Sequence, residues 1–287
     1  MLSRADASVL APAVLSLPTL ALLLALAFPG RSPLRVGRLA FARLAQDRTL
    51  RLLVAGMVAV VVANVVLTSI DPRFTSFVGR DFAADVHRLE GDFVAGVQRS
   101  LGHPLLTALL SWVYVLVYPL LIVASLFVYA ARGDGERLRA LGAAYFANYL
   151  LIQPFYLFFP VKEPAYVADS GGVVNGIETI LPGFMDGYRL TSGIDNCFPS
   201  LHTSLSLSVA LVAASSPYRA WRLLAGFSAA ATALSTVYLG IHWMSDLIAG
   251  VVFGWSCWWI GEALVGVRSA AREPRAEGSL ARLFFRR

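Results

Sequence analysis

Long apolar runs alternate with short arginine-bearing connections along most of the chain. Runs at Ala7–Pro29, Leu52–Ile70, Pro104–Ala131, Ala140–Pro160 and Pro199–Ser215, one ending near Gly240, and His242–Val265 each read as a membrane-crossing helix, since about 18 or more apolar residues suffice. The predicted fold class is all-α: a polytopic membrane helix bundle in one domain over residues 1–287. It comprises an N-terminal span at 7–29, a core bundle at 50–266 and a basic tail at 267–287. The connections Arg31–Arg51 and Arg132–Arg139, the turn with Arg219 and Arg222, and the tail (Arg268, Arg272, Arg275, Arg282, Arg286, Arg287) all fall on one side of this threading. By the positive-inside rule that side is cytoplasmic, and so is the C-terminus. The first span lacks a basic start and a small-residue cleavage site, so it reads as a retained helix.

Two segments outside the spans stand out. In Asp71–Gly102, Phe82, Val86, Leu89, Phe93 and Val97 recur at helical spacing, the pattern of an amphipathic helix lying on the outer surface. Ala165–Asp195 is long and Gly-rich, so it is expected to be functional or partly ordered by a short helix.

Composition agrees with the threading. With 57% hydrophobic and 15% charged residues and a mean hydropathy of +0.66, a soluble domain is excluded. The net charge of +6 does not indicate nucleic acid, because the arginines sit in short connections and not on one folded face. It sets topology and favours anionic lipid. Cys197 and Cys257 fall at different depths, which leaves no disulfide framework.

The candidate chemistry lies where spans meet the outer face. In Asn196–His202 a helix start would aim free N–H groups and its positive dipole end at an anion beside Ser200 and His202, with Pro199 in the first turn. In Tyr238–Asp246, His242 and Asp246 stand four apart, on one face of a helix. Counting crossings places Lys162, Ser200, His202, His242 and Asp246 on one rim, and Lys162 is the sole lysine. A carboxylate inside an apolar run needs a partner. Asp246 on one ring nitrogen of His242 would fix the tautomer and make the other nitrogen a base or nucleophile. Lys162, Ser200 and the helix amides would hold a phosphoryl group, with His202 protonating a leaving oxygen. Two histidines and an aspartate could also hold zinc or iron, but the lysine and the helix N-terminus favour an anion. No metal and no cofactor are therefore expected.

These residues resemble the type-2 phosphatidic acid phosphatase superfamily, whose membrane members share a six-helix core with vanadium haloperoxidases. Its second motif, Pro-Ser-Gly-His, has its counterpart in Pro199-Ser200-Leu201-His202. Its third, Ser-Arg-x5-His-x3-Asp, is matched from Ser235 through His242 to Asp246. The resemblance covers roughly Ala140–Val265. It implies a six-helix core plus one extra N-terminal transmembrane helix, a His242 nucleophile forming a phosphohistidine, Asp246 orienting it, His202 as acid, and phosphate contacts from Lys162 and Ser200 without metal. The first motif, Lys-x6-Arg-Pro, is reduced to Val161-Lys162-Glu163-Pro164, which leaves open whether Lys162 stands for the family's lysine or its arginine. Thr236 stands where the third motif has arginine, and Arg189 is a candidate replacement cation. The Pro-Ser-Leu-His form is more similar to the inositol phosphorylceramide synthase branch, which transfers a headgroup to a lipid hydroxyl.

The expected activity is thus a metal-independent lipid phosphatase or phosphotransferase, with a membrane lipid phosphate as substrate and its site on the extracytoplasmic rim. The competing class is a lipid or ion transporter. Apart from Asp246 and Glu262 the spans carry few ionisable residues, so no polar path is visible.

Overall fold

The computed structural model describes residues 4–70, 80–168, 170–188 and 193–266. Arg189 and the tail arginines lie outside the described residues. Every regular element among them is helical, and one isolated bridge pairs Val161 with Asn196.

The helices follow the apolar runs: α1 Arg4–Ala27, α2 Pro33–Leu44, α3 Arg48–Ile70, α4 Ala83–Glu90, α5 Phe93–Leu101, α6 Pro104–Arg132, α7 Gly135–Leu151 and α8 Gln153–Phe158. After a single 3-10 turn at Pro164–Tyr166 come α9 Gly176–Ile180, α10 Phe184–Tyr188, α11 Leu201–Ala214, α12 Arg219–Tyr238 and α13 Met244–Val265. Among the described residues, α6 and α13 are long and apolar enough to cross a membrane, and Ala11–Ala27 and Leu201–Ala214 are shorter apolar helices. Two of the seven expected spans therefore meet that criterion. The expected fourth span is divided into α7 and α8, with Pro154 at the start of the second piece.

Three local expectations are corrected. Asp71–Gly102 is not one amphipathic helix: Gly91, at φ +58°, divides α4 from α5, a backbone angle that glycine adopts without a Cβ penalty. The expected apolar stripe breaks there too, with Phe82 and Val86 packed inward and Leu89 79% exposed. The basic Arg31–Arg51 connection is largely helical, forming α2 and the start of α3, and α2 packs on the second half of α6. Pro199 precedes the cap of α11 and so lies outside the helix's first turn.

The site-bearing helices form the centre, with α11 packed against α7, α12 and α13, and α13 packed on α7. Small residues permit this. A Cβ on Gly254 would stand 2.6 Å from the Ser204 carbonyl oxygen and 2.7 Å from its Cα, so only glycine lets α13 approach α11 so closely. The Ser208 hydroxyl donates across the same contact to the Gly254 carbonyl at 3.3 Å and receives a bond from Asn148 at 3.2 Å. At the other end Leu121, Leu141, Val209 and Trp221 are fully buried, and the Trp221 indole donates to Tyr129 at 3.0 Å.

Candidate active site

Helix α11 starts at the site because Ser200 caps it. The Ser200 hydroxyl accepts from the Thr203 amide at 3.3 Å and from the Thr203 hydroxyl at 3.2 Å, satisfying one of the free amides of a first turn. Its own amide donates to the Asp246 carbonyl at 3.0 Å, tying the start of α11 to that of α13. Ser200 is fully buried, and His202, two residues on, is half-buried.

His242 is placed by a chain reversal after α12. Gly240, at φ +72°, makes the turn, and a Cβ there would meet the Val174 carbonyl oxygen at 2.6 Å. The amides of Ile241 and His242 then both donate to the Thr236 carbonyl, at 3.0 and 3.1 Å. Thr236, standing where the related motif carries arginine, is fully buried, and its hydroxyl donates to Ala233 at 2.7 Å. His242 is not on a helical face with Asp246, because it precedes Trp243, the cap of α13. The Asp246 carboxylate reaches back instead: Oδ2 accepts from the Trp243 amide at 2.9 Å and lies 3.3 Å from His242 Nδ1. One oxygen thus caps the helix and orients the imidazole.

The other face of that imidazole meets His202, whose Nδ1 is 3.3 Å from His242 Nε2. His202, His242 and Asp246 therefore form one line of contacts. Lys162 reaches the same neighbourhood through its backbone. Val161 and Glu163 donate to Asp195 and Ile194 at 2.8 and 2.9 Å, and the Lys162 carbonyl accepts from the Trp243 indole at 2.9 Å. Its ammonium pairs with Asp81 at 2.9 Å, both side chains being partly exposed.

Two contributions were not anticipated from sequence. Tyr114 stacks on His202 with ring centroids 4.5 Å apart, and Tyr118 lies against it at 4.6 Å. Both sit at a π turn, Val113–Val117, where the Tyr118 amide donates to the Val113 carbonyl. Pro119 follows directly; a proline cannot donate to the preceding turn and crowds its carbonyl, so the helix widens there. A proline inside an apolar span was the available signal. The second contribution is Glu90, the last residue of α4, whose carboxylate accepts from the Met244 and Ser245 amides at 2.9 and 2.6 Å. It caps the positive end of α13 from a different element. A glutamate before a glycine carries no such indication in sequence.

Cys197 is buried beside the pair, and its thiol donates to the Ile241 carbonyl at 3.4 Å. Burial first, then the carboxylates of Asp246, Glu163, Asp195 and Asp81, push this thiol well above its ordinary range, which disfavours the nucleophilic thiolate. Both cysteines are free. Donor atoms of Cys197, His242 and Asp246 lie within 4.8 Å of one another, a set that could hold a metal ion. Asp246 Oδ1, fully enclosed, has no hydrogen-bond partner among the described residues.

Against this geometry, a family model described as PAP2 superfamily matches residues 83–260. Comparisons with curated proteins and with solved structures returned no match.

Proposed function

Since the chain belongs to the PAP2 superfamily, whose members are generally phosphatases, we propose that it is a membrane-embedded lipid phosphatase or phosphotransferase working through a phosphohistidine. The observation that carries this is the line His202–His242–Asp246, with 3.3 Å at each contact. Asp246 holds the proton on His242 Nδ1, which leaves the Nε2 lone pair to attack phosphorus. As the N–P bond forms, the bond to the leaving oxygen breaks, and His202, protonated beside the anionic substrate, gives that oxygen its proton. His202 then takes a proton from water or an alcohol, whose oxygen attacks the phosphohistidine and releases His242. Because Nε2 faces His202 at 3.3 Å, the two rings must part to admit a phosphoryl group between them.

Lys162 supplies a phosphate contact in this reading, exchanging Asp81 for substrate, and the Ser200 hydroxyl proton is available for another. Arg189 remains a candidate third contact. A lipid substrate and a multi-pass arrangement are supported by the outward apolar surface: Leu17, Leu105, Phe227 and Leu264 are each more than 70% exposed, as suits residues facing acyl chains. The arginine-rich connections support a site on the extracytoplasmic rim and a cytoplasmic C-terminus. Leu201 in the Pro-Ser-Leu-His motif and Thr236 in place of arginine favour an alcohol acceptor, as in the inositol phosphorylceramide synthase branch.

The test is phosphorus NMR of products from a panel of lipid phosphates, with and without alcohol acceptors. Free phosphate identifies hydrolysis and a new phosphodiester identifies transfer. Full turnover in His242→Ala would overturn the mechanism. The Cys197–His242–Asp246 set supports a second reading, in which a metal ion occupies the same atoms. Loss of turnover on chelation, restored by a thiophilic divalent cation, would favour it over the phosphohistidine.

A further inference from the structure

At the other end of the bundle, roughly 27 Å of helix rise along α6 from Tyr114, three arginines converge on one recess. The guanidinium of Arg132, the last residue of α6, lies 4.3 Å from the Phe28 ring centroid and 3.3 Å from that of Tyr218. Its Nη2 donates to the Ala27 carbonyl at 2.7 Å, while its Nε is buried with no hydrogen-bond partner among the described residues. Arg43, from α2, donates through Nη1 to the carbonyls of Ala130 and Ala131 at 3.0 and 3.1 Å. Beside them is a cavity of about 450 Å³ whose walls include Phe28, Arg31, Leu39, Arg43, Arg132 and Tyr218, with no carboxylate among the lining residues.

Three like charges around one recess repel each other, and a buried N–H of a cation without an acceptor is costly. A single anion with several oxygens relieves that repulsion. Guanidinium groups present forked donors suited to phosphate oxygens, and the aromatic and aliphatic remainder of the wall suits the carbon skeleton beside such a group. The surroundings favour a lipid over a free anion. Helix α2 carries Arg35 and Arg38 exposed, no acidic residue, and Leu34 and Phe41 exposed by 76% and 69%, the makeup of a helix lying against an anionic membrane surface. The walls contributed by α1, α2 and their connection lie outside residues 83–260, the span matched by the family model, whereas Arg132 and Tyr218 lie within it.

We propose that this recess binds the phosphate of an anionic lipid headgroup, at a site separate from the histidine pair, and that the bound lipid fastens α1 and α2 to α6 and α12. Delipidated protein in neutral detergent is titrated with phosphatidylglycerol, phosphatidylcholine or inorganic phosphate, with native mass spectrometry and thermal unfolding as readouts. Phosphatidylglycerol is expected to give a one-to-one adduct and a raised melting temperature, in wild type and in His242→Ala alike. Arg31→Ala, a change on the exposed wall, weakens that binding at least tenfold and leaves turnover unchanged; Arg31→Ala/Arg43→Lys weakens it further. Equal binding of phosphatidylcholine, or undiminished binding in both variants, overturns the site. A matching shift with inorganic phosphate alone overturns the lipid assignment. Loss of the adduct in His242→Ala would place the lipid at the histidines instead.

Discussion

Asp246→Asn separates the charge of the orienting carboxylate from its shape. With the amide oxygen in the place of Oδ2, the variant can still accept from the Trp243 amide, 2.9 Å away, and from His242 Nδ1, 3.3 Å away. The amide nitrogen then falls where Oδ1 has no partner. The cap and the tautomer persist while the negative charge disappears. For centres about 5 Å apart at an effective dielectric of about 20, that charge stabilises an imidazolium-like or phosphorylated ring by about 3 kcal/mol. The chemical step should therefore slow by roughly 10² to 10³. The assay compares single-turnover release from a short-chain lipid phosphate, and acid-labile phosphoenzyme, in wild type and variant, with unfolding followed in the same detergent. A variant that melts normally yet keeps more than half the wild-type rate would refute the electrostatic role of Asp246. Asp246→Ala removes the cap as well, and should additionally lose about 0.5–2 kcal/mol of stability.

Three further outcomes follow from the packing and capping. Glu90→Ala leaves the Met244 and Ser245 amides without their acceptor and should cost about 1–2 kcal/mol in thermal or denaturant unfolding, with Glu90→Gln recovering part of it; unchanged stability in both would remove Glu90 from the cap. Gly254→Ala drives a Cβ into the Ser204 backbone and should destabilise by about 1–3 kcal/mol, whereas an unaffected melting temperature would mean that α11 and α13 separate freely. Lys162→Ala breaks a partly exposed pair with Asp81, so stability should stay within about 1 kcal/mol while KM for the phosphate substrate rises several-fold. A variant that fails to fold would make the lysine structural.

Apolar runs gave helix positions legibly, because an uninterrupted stretch of that length has few alternatives to a helix, and α6 and α13 lie where hydropathy puts them. Interruptions were harder. The period through Phe82, Leu89 and Phe93 continues across Gly91, yet the left-handed backbone of that glycine turns α5 away from α4. At the site, the pairing of His242 with Asp246 was readable from their spacing but its cause was not. A helix face and a carboxylate reaching back over a cap share the same separation, and only the capping geometry of Trp243 distinguishes them. The approach of His202 to His242, at 3.3 Å, was legible as topology, since counting crossings assigns both to one end of the bundle. Tyr114 and Tyr118 stayed hidden because in an apolar run a tyrosine looks like any other bulky residue, and their reach to His202 depends on the widened turn before Pro119.

Glu90 makes helix α4 and the histidine pair mechanically interdependent. Its helix lies in sequence more than a hundred residues from Asp246, yet the two carboxylates grip adjacent amides of the same first turn, Glu90 from outside and Asp246 from within. Pulling α4 away would strip two amides bare one residue from the carboxylate that holds His242. Whatever docks on or dislodges that short helix therefore acts on the aim of His242 without entering the pocket.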